Sequence, residues 1–168
     1  MPTNLSFTEA AALPFAGHYL MNALNRLSDA RTPITDLNSR LYRRNFLSSE
    51  AIKDRKHLVI GIGGLGSLLV QVLKAFGAES VDVLCGGSAE NLARDLGAKN
   101  VVTYDDREKE ELVEAFAEYA PYYGIFDCSR GASMPISQWV GYVIEPNGRI
   151  VSFDSPEIAI KVNKRLYF

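Results

Sequence analysis

The stretch His57-Leu-Val-Ile60 runs directly into Gly61-Ile-Gly-Gly-Leu-Gly66, and from Leu65 to Phe76 apolar residues recur at helical spacing. An apolar strand, a glycine turn and an amphipathic helix in that order open a βαβ unit, and they constrain the chain more than any other segment. In such a turn Gly61 supplies the tight bend. Gly63 lets the backbone approach a pyrophosphate with no side chain between, and Gly66 lets the helix pack close to the strand. The helix N-terminus then offers unpaired N–H groups to an anion. Glycine turns also arise for packing alone, so the decision rests on what surrounds this one.

The surroundings repeat the same unit. Ser80 to Cys85 reads as a second strand, Ser88 is placed to cap a helix running through Leu96, and Gly97 stands where a left-handed C-terminal residue is wanted. Asn100 to Tyr104 reads as a third strand. Asp105 to Glu111 is a charge run that suits a solvated helix start, followed by the buried stripe Leu112, Ala115, Phe116 and Tyr119. Tyr123 to Cys128 is a fourth strand, Pro135 to Ile144 a helix burying Trp139, Val140, Val143 and Ile144, and Gly148 to Phe153 a fifth strand behind the turn Pro146-Asn147-Gly148. Alternation of this kind with right-handed crossovers gives an α/β fold, a Rossmann-type doubly wound parallel sheet in a single domain.

The 168 residues suffice for one such domain. Residues 57–154 carry the expected dinucleotide-binding sheet, residues 1–56 the N-terminal helices and a connecting segment, and residues 155–168 a tail with no assigned place. Ser6-Phe7-Thr8-Glu9 forms a capping box, and Pro14 is expected to end a short helix at Leu13 and open a second one reaching about Leu27. Ser28 to Arg55 is polar and locally basic, a long connection with room for one helix.

Composition narrows the function classes. Hydrophobic residues at 47% supply a core, and eighteen basic against twenty acidic residues leave a net charge of -2, with no positive field to hold a nucleic acid. No apolar run reaches the roughly eighteen residues a membrane span needs, and Met1 to Phe15 lacks a secretory pattern. The expectation is a soluble, unexported chain. Cys85 and Cys128 stand in apolar runs rather than at framework spacing, which fits a reducing, intracellular compartment.

A domain that binds NAD commonly places a carboxylate at the end of the second strand, on the ribose hydroxyls. Here that position reads Cys85-Gly86-Gly87-Ser88, without an acid. The absence permits a 2′-phosphate, to which the amides of Gly86 and Gly87 and the hydroxyl of Ser88 can donate, so NADP is preferred over NAD. No Arg or Lys stands in this loop, and Arg94, the nearest, lies well into the following helix.

Leu5-Ser-Phe-Thr-Glu-Ala-Ala-Ala-Leu-Pro-Phe-Ala-Gly17, Val59 to Ser67, Ala93-Arg-Asp-Leu-Gly-Ala98 and Val101-Val-Thr-Tyr104 together resemble medium-chain dehydrogenase/reductases. The likeness is to the quinone oxidoreductase-like branch that includes the reticulon-interacting mitochondrial oxidoreductases, and it covers most of Leu5 to Phe153. It implies NADPH held by the backbone around Gly61, Ile62, Gly63, Gly64, Leu65 and Gly66. The loop of Gly86, Gly87 and Ser88 and the ring of Tyr104 would lie near the adenosine phosphate, and Cys128 beside the cofactor at the end of the fourth strand. It also implies a missing N-terminal GroES-like catalytic domain and a mitochondrial or cytoplasmic location. The chain departs from the family pattern in its long connection before the glycine strand, in Ala89 where some members carry a basic residue, and in Arg130 after the fourth strand.

Other constellations are bland. His18, His57, Cys85 and Cys128 show no metal-ligand spacing, so no metal is expected. Cys128 reads as a small core residue, and Asp127 as the cap of a loop. No catalytic side chain is assigned. The leading expectation is the NADP(H)-binding part of a quinone- or enone-type oxidoreductase; on its own it should bind cofactor but reduce little quinone, and an apolar face left uncovered could support a homo-oligomer. The alternative is a dinucleotide-sensing or partner-docking module without chemistry. A methyltransferase is a weaker third reading, since it wants an acid at the end of the second strand.

Overall fold

The computed structural model of the chain describes residues 6–28, 51–105, 107–129 and 140–153. The connecting segment over residues 29–50, Arg130, most of the helix expected over Pro135 to Ile144 including Trp139, and the tail Ser155 to Phe168 lie outside them.

Helix α1 (Phe7–Ser28) leads to strand β1 (Lys56–Ile60), followed by α2 (Gly64–Ala75), β2 (Ser80–Cys85), α3 (Glu90–Asp95), β3 (Val101–Thr103), α4 (Lys109–Ala117), β4 (Tyr122–Asp127) and β5 (Ile144–Ser152). The five strands form one sheet in the order β3-β2-β1-β4-β5, and every described pairing is parallel. This is the α/β Rossmann arrangement, in which the strand order reverses beside β1. Register follows the alternation of side chains: Val59 joins one core with Val70, Leu73 and Val83, while Leu58 and Ile60 join another with Leu112, Phe116 and Ile125. Helices α1 and α2 thus cover one face and α4 the other.

Three local expectations are revised. Pro14 lies inside one continuous helix, α1, instead of dividing two. Leu13, Pro14 and Phe15 are all exposed, so the carbonyl that loses its N–H partner can take water, while Leu20, Ala23, Leu24 and Leu27 lock the second half of the helix into the core. Ser88 does not cap a helix: residues Gly87–Ala89 form a single 3-10 turn, and α3 starts after Ala89 with no side-chain cap. β5 begins at Ile144, ahead of the turn residues, because Tyr122 pairs with Ile144 and the extra residues are absorbed in a register shift before Gly124 pairs with Arg149. Only a 3-10 turn, Val140–Tyr142, is described where the preceding helix was expected to end.

Gly97 is left-handed, with φ +94°, as a helix C-terminus requires. The charge run also behaves as expected at α4, where Glu108 and Glu111 form a capping box and Leu112 and Phe116 are buried. Two buried polar groups brace the lower half of the sheet. Tyr122 Oη donates to Asp82 Oδ2 at 2.7 Å and Asn100 Nδ2 donates to Asp82 Oδ1 at 3.1 Å. His57 is fully buried, and its Nε2 donates to the carbonyl of Ile52 at 3.2 Å, leaving Nδ1 without a partner.

Candidate functional site

β1 ends in Gly61, whose φ of +85° only glycine holds without strain, and whose missing Cβ would sit 3.0 Å from Ser129 Cα and 3.1 Å from the Cys128 carbonyl. The bend is tied to both neighbouring strands: the Gly61 amide donates to Leu84 O and the Cys128 amide to Ile60 O, each at 2.8 Å. Five residues on, a Cβ on Gly66 would lie 1.9 Å from the Gly61 carbonyl, so helix and strand touch backbone to backbone. Gly63 and Gly64 differ, for a Cβ on either would meet nothing within 4 Å. Between the two packed glycines there is open space in front of a helix N-terminus.

That helix suits an anion. Gly63 is the N-cap of α2, no side chain caps the helix, and its first turn carries no acid, while Lys74 stands in the last turn. The first-turn amides, without intrahelical acceptors, carry the positive end of the dipole toward the open space. Ser67 turns inward, its hydroxyl donating to the Ile62 carbonyl at 2.9 Å, and so stiffens the turn.

The space is part of a cavity of about 820 Å³ at the carboxyl ends of the strands, within the usual size range of ligand pockets. The glycine turn from Gly61 to Leu65 forms its floor; Gly86, Ser88 and Tyr104 stand at one end, Cys128 and Ser129 at the other. Of the eleven residues assigned to the cofactor from sequence, Gly66 and Gly87 do not line this cavity. Gly66 is buried in the helix–strand contact, and the Gly87 amide is engaged elsewhere. Phe15, Ala16 and Tyr19 of α1 and Phe153 after β5 complete the wall and were not foreseen. Tyr19 stacks against Phe15 and Phe153, with ring centroids at 5.0 and 6.4 Å. The aromatic spacing along Phe15 to Tyr19 was the one sequence signal for them.

The end of the cavity at Gly86 and Tyr104 is not acid-free in space. The carboxylate of Asp105, directly after Tyr104, accepts a hydrogen bond from the Gly87 amide. The sequence offered that amide to a phosphate, and the acid that fills it comes from the end of β3, eighteen residues along the chain.

The two cysteine thiols are held in their neutral form. Burial first, then the charge of Asp127, pushes the Cys128 thiol up to about 12, and burial also raises Cys85, with Glu90 and Asp105 adding to it. Asp127 caps the following turn, accepting from the Ser129 hydroxyl at 2.7 Å and its amide at 3.1 Å. Among the described residues no group of three or more His, Cys, Asp or Glu side chains could hold a metal, and no helix is long and apolar enough to cross a membrane.

A parallel sheet with this strand order, a glycine turn at its reversal point and a cleft above the strand ends defines a dehydrogenase-type Rossmann fold. Among solved structures the quinone oxidoreductase of Coxiella burnetii shares this fold, with a TM-score of 0.66 and 22% identity over 98% of this chain and 43% of that one. "Reticulon-4-interacting protein 1, mitochondrial" of Caenorhabditis elegans is 32% identical over 75% of this chain and 29% of its own length. "NAD(P)H oxidoreductase RTN4IP1, mitochondrial" of Mus musculus is 30% identical over 68% of this chain and 24% of its own length. "2-methylene-furan-3-one reductase" of Solanum lycopersicum is 30% identical over 98% of this chain and 38% of its own length. No family model matches the chain. It belongs to the medium-chain dehydrogenase/reductase family, and it spans between about a quarter and two fifths of the length of these curated relatives.

Proposed function

We propose that this chain binds a nicotinamide dinucleotide and serves as the cofactor-binding part of an NAD(P)H-dependent oxidoreductase acting on quinones or enones. One observation carries the reading: the wide opening in the glycine turn, at Gly63 and Gly64, faces a cavity whose other walls are the ends of β2, β3 and β4, helix α1 and Phe153. A pyrophosphate fits where a Cβ would otherwise go, with the α2 amides as donors. The adenosine would then lie toward Gly86, Ser88 and Tyr104 and the nicotinamide toward Cys128. Hydride transfer is the chemistry the nicotinamide supplies when bound. The protein's share is position, and an environment in which the neutral Cys128 thiol forms a wall rather than a nucleophile. The relatives named as NAD(P)H oxidoreductase and as furanone reductase support the reaction class. Their mitochondrial names support the same location for this chain, which fractionation of cells expressing a tagged copy would check.

A second reading, a nucleotide-sensing or docking module, is favoured by the cavity lining. Among its described residues are no His, Lys, Asp or Glu, and on α1, whose Phe15 lines it, Phe7 and Phe15 are 83% and 69% exposed, apolar surface suited to the N-terminal catalytic domain of the family or to a second copy of the chain. Calorimetric titration with NADH and NADPH, followed by an assay of reduced-cofactor oxidation with a quinone acceptor, separates the two. Because hydride transfer needs a substrate held about 3 to 3.5 Å from the nicotinamide, the chain alone should bind cofactor and turn over little quinone. Turnover on adding a catalytic domain favours the oxidoreductase; binding without turnover in that reconstituted form favours the module. No heat with either dinucleotide would overturn the oxidoreductase and the nucleotide-sensing module and leave docking alone.

A further inference from the structure

We propose that Asp105 reads the adenosine ribose in this chain from the end of β3, and that it selects NAD(H) over NADP(H). The inference rests on the dinucleotide reading above and adds which dinucleotide that site takes. The sequence preference for NADP depended on a loop without an acid. The fold returns a carboxylate to that loop from the neighbouring strand, because β3 pairs with β2 up to Cys85↔Thr103 and so delivers residues 104 and 105 beside Gly86 and Gly87.

Asp105 does not itself line the cavity; it stands beside Gly86 and Tyr104, which do, and three features of that position let its charge discriminate. First, it spans the glycine pair: a Cβ on Gly87 would lie 2.7 Å from Oδ2, and one on Gly86 would lie 3.6 Å from Oδ1 and 3.2 Å from Tyr104 Oη. Second, it takes up one of the donors a 2′-phosphate would use, since the Gly87 amide already bonds to it. Third, the charges that act on the Cys85 thiol at this end are more acidic than basic. The Cys85 thiol, which lines the cavity here, feels two acids, Glu90 and Asp105, against one base, Arg94. That guanidinium is already committed, with its NH2 2.7 Å from Glu90 Oε1. A 2′-phosphate brings nearly two negative charges and would meet a carboxylate with no free counter-ion in the loop. Ribose hydroxyls are donors and find in the same carboxylate an acceptor.

The test is calorimetric titration of the purified chain with NADH and with NADPH, for the wild type, Asp105→Asn and Asp105→Ala, with circular dichroism to verify folding. The Asn variant keeps an acceptor for the Gly87 amide and removes only the charge. The wild type should bind NADH at least tenfold more tightly, and both variants should shift the ratio of dissociation constants toward NADPH by at least tenfold. Tighter or equal binding of NADPH by the wild type, or a ratio unmoved in both variants, would overturn the proposal. Gly63→Val keeps its failure distinct from that of the dinucleotide reading. Equal binding of both cofactors that is lost in Gly63→Val overturns the role of Asp105 alone; absence of binding in every variant overturns the dinucleotide site as well.

Discussion

The chain carries two glycine loops at neighbouring strand ends, and they are built on opposite principles. At the end of β1, Gly61 and Gly66 are pressed against backbone, so no neighbour can yield if a side chain is added. At the end of β2, what surrounds Gly86 and Gly87 is the tip of Tyr104 and the carboxylate of Asp105, both on rotatable side chains. The first loop is a rigid fixture of the sheet, and the second is a pliable surface whose chemistry is borrowed from β3. A rigid floor with an adjustable end would let one scaffold keep a common anion site while changing the chemistry at its far end.

The strongest way to break this contrast is Gly66→Ala. The added methyl would lie 1.9 Å from the Gly61 carbonyl, a clash only backbone movement relieves, so a stability loss near the top of the overpacking range, ~3 kcal/mol, is expected in urea denaturation. A loss below ~1 kcal/mol would show that the first loop yields as readily as the second.

Acid tests the rigid strand from its other end. Burial, opposed by the Ile52 hydrogen bond and assisted by the charge of Arg55, lowers His57 from 6.5 to about 4. The folded state therefore disfavours the proton that the unfolded chain accepts. The stability that neutral His57 contributes is fully present above pH 6.5 and is lost as pH falls through about 4, by at most ~3 kcal/mol. Burial raises Asp82 despite its bonds to Tyr122 and Asn100, and this works in the opposite direction, restoring stability as pH falls. Unfolding free energies of wild type and His57→Gln, compared between pH 7 and 4, isolate the histidine: the variant should lack its share of the loss, and parallel curves would remove His57 as the cause.

Gly63→Val sharpens the contrast within the first loop, since a Cβ there meets nothing within 4 Å. Thermal stability should hold while dinucleotide affinity falls by at least a hundredfold, about 2.7 kcal/mol; retained affinity in a folded variant would take the pyrophosphate away from this turn. The smallest effect is expected for Gly87→Ala. The methyl meets Asp105 Oδ2 at 2.7 Å, but that carboxylate can rotate, so stability should change by less than ~1 kcal/mol and the NADH to NADPH ratio by less than the Asp105 variants produce. A large loss of stability would mean that the second loop is as rigid as the first.

The same contrast explains what was legible in the sequence. The alternation of strand and helix and the glycine turn could be read because backbone sterics and side-chain alternation are local, and residues 57 to 66 contain nearly the whole argument for the turn. Asp105 could not be read, because it opens a charge run that is otherwise solvated, and only the pairing of β3 with β2 brings it to Gly87. Phe15 and Tyr19 were hidden behind Pro14, taken as a break between helices; an exposed proline inside an otherwise well-anchored helix leaves both aromatics on a continuous rod that reaches the cavity. Ser88 had the chemistry of a cap and lost the role to a 3-10 turn that starts one residue earlier.

The hydrogen bond from Tyr122 to Asp82 joins β4 to β2 across the strand that lies between them. It can close only once β1 has taken its place, so it reports completion of three strands rather than pairing of two. A chain that docked β4 one residue out of step would leave Asp82 Oδ2 without its partner, with only the Asn100 bond to Oδ1 remaining, which makes this contact a checkpoint on assembly: the misaligned sheet is penalised by the group that braces the correct one.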